Sequence, residues 1–504
     1  MRRAVRVAAL TLLTAAASSC GERSTGGASS STASSMSAAA SSSSASSSSA
    51  AASSSAPRSA SARGPTASSA PVAGGLDCKD SVEDIYRAPT DLARFSPGDI
   101  VRCAREPDLD AASLARRLSA DTAARISSGD LTIYLVAYRT TRGNGAAALG
   151  TAKVFVPATP RARPAPLLVA AHGTVGVADD CAPSKSDAPW ADYLSLPFAA
   201  HGYAVIAPDY AGLGTDGVQG YGDGRDTALS SLHAARALSL LVGGGANRAV
   251  VVGHSQGGGT ALSMQAVEHE EAATLGVKIE GVVAVAPGWQ TTASVEGFSF
   301  ADAPTDVGFG LPAVVATLYT YAYFSNYVGL AHGLDPFAAS VREDLGRALE
   351  GECIVRLLRT VPRIAPTFGE LFDRSFREHV LGCGRGTEPC VEPAASYVAF
   401  VKKNVLTGDA KGARVLVVEG MADTAVVPAR VACVRDKLVA DGVKVDLCTD
   451  DDATHIDVVG RAEKPILAWL DAVYDGGSPP ACTARELPAC KTLSPGNPRQ
   501  GWVR

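Results

Sequence analysis

The segment Gly253-His254-Ser255-Gln256-Gly257 constrains the fold of this chain more than any other part of it. It follows an apolar, β-branched run over residues 248–252 and opens into two further glycines and a helical pattern. This order predicts a strand, a sharp turn and a helix, with Ser255 exposed at the turn. The flanking residues must be glycine because side chains there would collide with the neighbouring strand or helix. The pattern therefore makes Ser255 a candidate nucleophile on a strained backbone.

The first 20 residues are typical of a signal peptide. Three arginines precede an apolar stretch over residues 7–17 that is too short to span a membrane. Residues 17–20 read Ala-Ser-Ser-Cys and resemble a bacterial lipobox, except that Ala17 stands where leucine is usual. This predicts lipidation of Cys20, which would associate the protein with a membrane. Cleavage and secretion without a lipid is the alternative.

Residues 21–75 consist almost entirely of Ser, Ala, Gly, Thr and Pro. Such a segment has too few apolar side chains to offset the entropy of ordering it, so a flexible tether is predicted. The rest of the chain is rich enough in apolar residues for a large core. The formal net charge is -5 and no basic cluster lies beyond the signal, which argues against nucleic acid as a partner.

Without Cys20, ten of the 11 cysteines remain. An even number in an exported chain predicts disulfides. No two of them have Cys-x-x-Cys spacing, which argues against a zinc or thiol-redox site. The connectivity cannot be deduced from the sequence. Cys383–Cys390 and Cys482–Cys490 are candidate pairs only because they are close along the chain.

Strand-like and helix-like runs alternate after a predicted hairpin at residues 131–156. This alternation predicts an α/β fold with a mostly parallel central sheet and helices on both faces. About 125 residues separate the strand that ends near Pro287 from the next, near Arg414, which is too long for an ordinary connection. Residues 289–405 are therefore predicted to form a large, mainly helical cap.

A serine nucleophile needs a histidine base that an acidic side chain orients. Four histidines follow Ser255, and only His455 lies in a polar loop between the last strand and the terminal helix; the others are His269, His332 and His379. Asp423 follows the strand at residues 414–419, so the order Ser, Asp, His is the one that this strand–turn–helix arrangement requires. Glu419 is the second candidate for the acid, and Asp457 is too close to His455 in sequence.

Chemistry at an acyl carbon also needs hydrogen-bond donors for an oxyanion. The backbone N–H of Gln256, directly after Ser255, is one predicted donor. The backbone N–H of Thr174, in the loop after the strand at residues 167–171, is the other, and the Thr174 hydroxyl is a potential third. His172 is expected to brace this loop rather than act as a base.

These motifs together resemble the secretory lipase family of α/β-hydrolases, which includes fungal lipase A-type enzymes. The resemblance covers roughly residues 80–475. The motifs that carry it are His172-Gly173-Thr174, Cys181-Ala182-Pro183-Ser184, the run from Pro208 to Gly214, Gly253 to Gly258, Tyr86-Arg87-Ala88-Pro89 and Pro97-Gly98-Asp99. The resemblance implies a Ser255–Asp423–His455 triad, a helical cap over the acyl site, ester substrates and no cofactor.

The sequence therefore predicts an exported serine hydrolase, most simply a lipase acting on small-molecule or lipid esters. The uncharged, tyrosine-rich run 307–331 is interpreted as a buried cap helix, or alternatively as the lining of an acyl-chain pocket. A short-chain esterase, an acyltransferase or peptidase, and a catalytically silent binding protein remain alternatives. The predicted segments are a signal peptide (1–20), a tether (21–75), the hydrolase core (76–288 and 406–475), the cap (289–405) and a cysteine-containing tail (476–504).

Overall fold

The computed structural model describes residues 76–305 and 310–490. The predicted signal peptide, the lipidation site at Cys20, the tether and residues 491–504 lie outside the described residues. Within the described part, no helix has both the length and the apolarity to cross a membrane.

Within the described residues, nine strands form one sheet in the order β1-β2-β3-β5-β4-β6-β7-β8-β9. The first three strands are joined to each other and to β5 by antiparallel pairing, and the remaining six pair in parallel. The strands are β1 Ile100–Arg105, β2 Leu131–Thr141, β3 Ala147–Pro157, β4 Leu167–Ala171, β5 Ala204–Pro208, β6 Arg248–His254, β7 Lys278–Val285, β8 Arg414–Gly420 and β9 Val445–Asp450. The predicted mostly parallel α/β sheet, with its β2–β3 hairpin, is confirmed.

Helices cover both faces of this sheet and build the cap. In the sheet-bearing part they are α1 Val82–Ile85, α2 Ala111–Arg117, α3 Ala120–Ala123, α4 Pro189–Asp192, α5 Leu196–Ala200, α6 Gly224–Leu241, α7 Gln256–Leu275, α14 Pro428–Ala440 and α15 Val458–Tyr474. In the cap they are α8 Gly310–Tyr323, α9 Arg342–Gly351, α10 Ile354–Ile364, α11 Phe368–Leu371, α12 Arg374–Arg385 and α13 Ala394–Lys403. A 3₁₀ segment, Thr292–Ser299, opens the cap, and a π turn, Phe324–Val328, follows α8.

Alternating side chains of the parallel strands fill two cores, one on each face of the sheet. In β8, Val415 and Val417 pack into one core, while Leu416 and Val418 pack into the other. Strands that are buried on both faces must be apolar at every position, which explains their near-continuous Val and Ala runs. The carboxyl ends of these strands lie along one edge of the sheet, where α/β proteins place their sites.

The cap has an apolar core of its own. Leu318 on α8 is fully buried in it, and Phe298 packs edge-on against a group of rings: Phe368, Phe372, Phe376 and Tyr397. The two ends of the cap meet, because an isolated β-bridge pairs Gln290 with Val405. For the described part of the run 307–331, these contacts favour the interpretation as a buried cap helix.

All ten cysteines of the described part are paired. The disulfides are Cys78–Cys103, Cys181–Cys353, Cys383–Cys390, Cys433–Cys490 and Cys448–Cys482. Of the two local candidate pairs, Cys383–Cys390 forms a disulfide and Cys482–Cys490 does not. The tail runs back along the sheet edge, where the Thr449 N–H donates to the Thr483 carbonyl at 3.2 Å, so its two cysteines meet α14 and β9 instead of each other.

Candidate active site

Ser255 lies on the turn between β6 and α7 with φ 57° and ψ -117°, a conformation that side chains rarely adopt. The surrounding backbone holds it there. Its N–H donates to Val285 O at 2.9 Å, and its carbonyl accepts from the N–H of Gly288 at 2.8 Å. A Cβ at Gly253 would lie 2.0 Å from Gly257 O, and one at Gly257 would lie 1.9 Å from Ala171 O. The turn therefore admits only glycine at these two positions.

The structure brings Ser255, His455 and Asp423 into one line. The Ser255 Oγ lies 2.9 Å from the His455 Nε2, and the His455 Nδ1 lies 2.7 Å from the Asp423 Oδ2. The other Asp423 oxygen accepts the backbone N–H groups of Ala425 and Val426 at 2.7 and 2.9 Å. With Nδ1–H donating to the carboxylate, Nε2 is free to accept a proton from the serine.

Two backbone hydrogen bonds join the loop that carries Asp423 to the loop that carries His455. The Met421 N–H donates to Asp450 O at 2.9 Å, and the Ala422 N–H donates to Ala453 O at 3.0 Å. These main-chain hydrogen bonds therefore fix the distance between the loops that carry Asp423 and His455.

The other candidates lie elsewhere. Glu419 is buried, and neither of its carboxylate oxygens has a partner within the described residues. Asp457 accepts from the backbone and hydroxyl of Thr454 instead of from His455. His269 is exposed on α7, and His332 and His379 lie in the cap, where they bond Asp335 and Ser375.

The loop that carries the predicted donor Thr174 approaches the serine turn, because a Cβ at Gly173 would lie 3.5 Å from the Ser255 Cβ. The N–H groups of Thr174 and Gln256 donate to no other group within residues 76–305 and 310–490. Gln256 is the first residue of α7, where a helix has free N–H groups and a positive dipole end. The Thr174 Oγ1 lies 2.8 Å from the Tyr221 Oη. If the tyrosine donates, the threonine hydroxyl keeps its own proton for a ligand.

His172 braces the loop, as expected: its Nδ1 lies 2.7 Å from Gly173 O, and its ring packs on Tyr210 at 4.4 Å.

The Thr174 loop is also attached to the cap. The Cys181–Cys353 disulfide joins the segment after this loop to the residue before α10. The Ile354 N–H donates to Val175 O at 2.8 Å. A Cβ at Gly176, whose φ is +115°, would lie 3.2 Å from the Cys353 Cα.

Several site residues were missed by the sequence reasoning. Tyr193, Gln219 and Tyr221 come from loops whose sequences carry no motif, and they contact the site only in three dimensions. His254 lies inside the recognised motif, but the pattern leaves its position unspecified. Its two ring contacts, to Tyr193 and to the backbone of His455, appear only in the structure.

In the part of the chain that the structure describes, no three His, Cys, Asp or Glu side chains are grouped so as to hold a metal ion.

Comparison with known proteins assigns the fold to a class. The family model described as "Alpha/beta hydrolase family" matches residues 167–397. No curated protein matches the chain. The β6–Ser255–α7 turn and the parallel sheet are those of the α/β-hydrolases, and this chain has the α/β-hydrolase fold.

Solved structures agree with this fold. Candida antarctica lipase A in its closed state is 18% identical with a TM-score of 0.58, over 83% of this chain and 91% of the lipase. The rice cell wall degrading esterase LipA from Xanthomonas oryzae, in a ligand-bound form, is 18% identical with a TM-score of 0.56, over 76% of this chain and 100% of the esterase. The predicted resemblance to lipase A-type α/β-hydrolases is confirmed at the level of the fold.

Proposed function

We propose that the protein is a carboxylic ester hydrolase that works through a Ser255–His455–Asp423 triad and an acyl-enzyme. The observation that carries this proposal is the alignment of the three side chains, at 2.9 and 2.7 Å, on a strained turn. Ser255 attacks the acyl carbon while His455 Nε2 takes its proton. His455 then gives this proton to the leaving alcohol, and Asp423 stabilises the imidazolium.

The developing oxyanion is held by the N–H groups of Thr174 and Gln256. Both are backbone donors on fixed segments, so they need no rearrangement as charge develops. Water activated by His455 then cleaves the acyl-enzyme and releases the acid. The residues of the site supply every proton transfer in this cycle, and it uses no cofactor.

We propose a lipase in particular, acting on lipid esters. The support is the fold similarity to Candida antarctica lipase A and the apolar cap above the sheet. The esterase LipA has the same fold, so a short-chain esterase is the second candidate. A panel of p-nitrophenyl esters from acetate to palmitate distinguishes the two. Matched amide and acyl-transfer assays address the peptidase and acyltransferase alternatives.

The triad is tested with a fluorophosphonate probe and an ester assay. Ser255→Ala should lose covalent labelling and about 10⁴–10⁶-fold in kcat, and His455→Ala should be comparably damaging. His379→Ala is the matched control, since its ring lies in the cap, and should keep wild-type rates. A Ser255→Ala variant with a tenth of the wild-type rate would contradict the proposal, and an unlabelled wild type would indicate a silent binding protein.

We further propose export and lipidation at Cys20, with residues 21–75 as the tether. The basic and apolar start supports this, and so do the five disulfides of the folded part. Expressed in a bacterium with lipoprotein processing, the full chain should fractionate with membranes, and Cys20→Ser should move it to the soluble exported fraction. Equal partition of the two proteins would indicate ordinary secretion.

A further inference from the structure

His254 lies between the candidate nucleophile and the candidate base. It directly precedes Ser255, and its ring lies 4.9 Å from the ring of His455. Its Nε2 is 2.8 Å from the His455 carbonyl oxygen, and its Nδ1 is 2.8 Å from the Tyr193 hydroxyl. Only 5% of the residue is exposed, so both contacts are made away from bulk water.

The direction of these hydrogen bonds follows from the acceptor at one end. A carbonyl oxygen can only accept, so His254 Nε2 must carry the proton. Burial, reinforced by the neighbouring His455, lowers the pKa of His254 to about 3, so the ring is neutral at working pH. Its Nδ1 is then a lone-pair acceptor, and the Tyr193 hydroxyl must donate to it.

Tyr193 and the loop that carries Thr174 both border the ring of His254. Burial raises the pKa of Tyr193, so its hydroxyl stays protonated and can donate to His254. The Gly173 position also packs against His254, because a Cβ there would lie 3.7 Å from Nδ1. The loop before Thr174 therefore contacts the ring that binds the backbone of His455.

We propose that Tyr193 and His254 are positioning residues that fix the main chain of His455 relative to Ser255. This inference rests on the proposed function of the triad. Two adjacent residues of one turn then contact His455. Ser255 faces its ring Nε2, and His254 binds its backbone carbonyl oxygen. A displaced His455 should lower kcat and leave KM nearly unchanged, because a shift of about 1 Å in the position of the base slows the chemical step.

The test combines four variants with kinetics on a p-nitrophenyl ester and with the rate of fluorophosphonate labelling. Tyr193→Phe removes the hydroxyl and keeps the ring, while His254→Leu removes both contacts. We expect kcat to fall by about 3–10-fold and about 30–100-fold respectively, with KM within twofold, from the misplacement of the base. His254→Gln keeps an N–H near the Nε2 position and should recover about tenfold over His254→Leu.

The double variant Tyr193→Phe/His254→Leu separates a chain from two independent contacts. If His254 transmits the effect of Tyr193, the double variant should be no slower than His254→Leu within twofold. If the loss of kcat in the double variant equals the product of the two single losses, the proposal is overturned. An effect on KM, or on the melting temperature alone, would also overturn it. His269→Leu, on the exposed face of α7, is the control and should be unchanged.

Nitrogen-15 NMR of the histidine rings tests the chain without any substrate. At neutral pH, the wild type should show His254 protonated at Nε2 alone, and an Nδ1–H tautomer would overturn the proposal. Labelling without ester turnover would refute the ester hydrolase, while the labelling rates of the variants would still measure the positioning.

Discussion

Glu419 and Asp423 lie four residues apart at the end of β8, and only Asp423 reaches the imidazole of His455. Both carboxyl groups are buried, but only Asp423 accepts backbone N–H groups. Burial, and then the charge of Asp423, raises the pKa of Glu419 well above its usual range. Of the two buried carboxyl groups, the charged form is therefore favoured at Asp423, which accepts the backbone hydrogen bonds.

Asp423→Asn should lower kcat by about 10³–10⁴-fold, because an amide cannot stabilise the imidazolium and favours the wrong tautomer. Glu419→Gln keeps the shape of a side chain whose charged form burial already disfavours, and should change kcat by less than about threefold. Both variants are compared on one ester at saturating concentration. Equal losses would make Glu419 part of the acid pair.

Free-thiol titration of the denatured, unreduced protein should find none of the ten cysteines of residues 76–490 reactive. Peptide mapping should recover Cys448 linked to Cys482 and Cys433 linked to Cys490. The latter closes 57 residues, so replacing both of its cysteines by serine should lower the free energy of unfolding by about 2–4 kcal/mol. A peptide that links Cys482 to Cys490 would contradict the course of the tail.

His233 should make the protein less stable as the pH falls. Its Nδ1 lies 2.8 Å from the Thr140 hydroxyl on β2. Burial, and then the charges of Arg139 and Arg236, lowers its pKa to about 4 in the folded state. An unfolded histidine titrates near 6.5, so between about pH 6.5 and 4 the unfolded chain takes up the proton first. Protonation of His233 therefore lowers the free energy of unfolding by up to about 1.4 kcal/mol for each pH unit in this range.

The measurement is urea unfolding at several pH values for wild type and His233→Asn. The variant should show a shallower loss below pH 6.5, and His269→Asn, at an exposed position, should not. Asp209 acts in the opposite sense, because burial raises its pKa to about 6 and its stabilisation is lost as the pH rises. The effect of Asp209 is the same in the wild type and in both variants, so it cancels in the comparison. An equal loss of unfolding free energy with falling pH in the wild type and in His233→Asn would contradict the low pKa of His233.

Val315→Trp should reduce activity on long-chain esters more than on acetyl or butyryl esters. Val315 lines a cavity of about 30 Å³ in the cap, beside Phe298 and Tyr319. This volume holds little more than a water molecule, so a longer acyl chain must displace side chains to enter. Each buried methylene is worth up to ~0.8 kcal/mol, so blocking the cavity should lower the octanoate-to-butyrate ratio of kcat/KM by about tenfold or more.

Leu318→Trp is the matched control. Leu318 is fully buried in the cap core and does not line this cavity, so overpacking there should lower both activities and the melting temperature together. An unchanged chain-length profile in Val315→Trp would make the cap residues around this cavity purely structural.

The fold was largely predictable because its signals are local. The runs that became β2, β3 and α15 have their predicted type within a few residues, since apolar periodicity and turn residues specify them. β1 was missed because Ile100–Arg105 carries two arginines and pairs with β2 at the edge of the sheet. The pairing of the tail cysteines was not predictable, because proximity along the chain does not reveal where a tail returns to the sheet.

The candidate site was predictable to the extent that chain order specifies it. The order of Ser255, Asp423 and His455 could be read along the sequence, and the structure brings these three together. The supporting residues were not predictable, since Tyr193 and Tyr221 contact the site from loops without a motif. Their contacts depend on how separate loops meet at the sheet edge, which periodicity does not encode.

The link between Cys181 and Cys353 determines how the cap can be exchanged. The cap is inserted between β7 and β8, and on topology alone it would be exchangeable with the cap of another α/β-hydrolase. The disulfide, with the hydrogen bond from Ile354 to Val175, attaches it to the segment that carries the proposed oxyanion donor Thr174. A graft of residues 289–405 alone would leave Cys353 unpaired, so a functional chimera has to carry residues 172–182 with the cap.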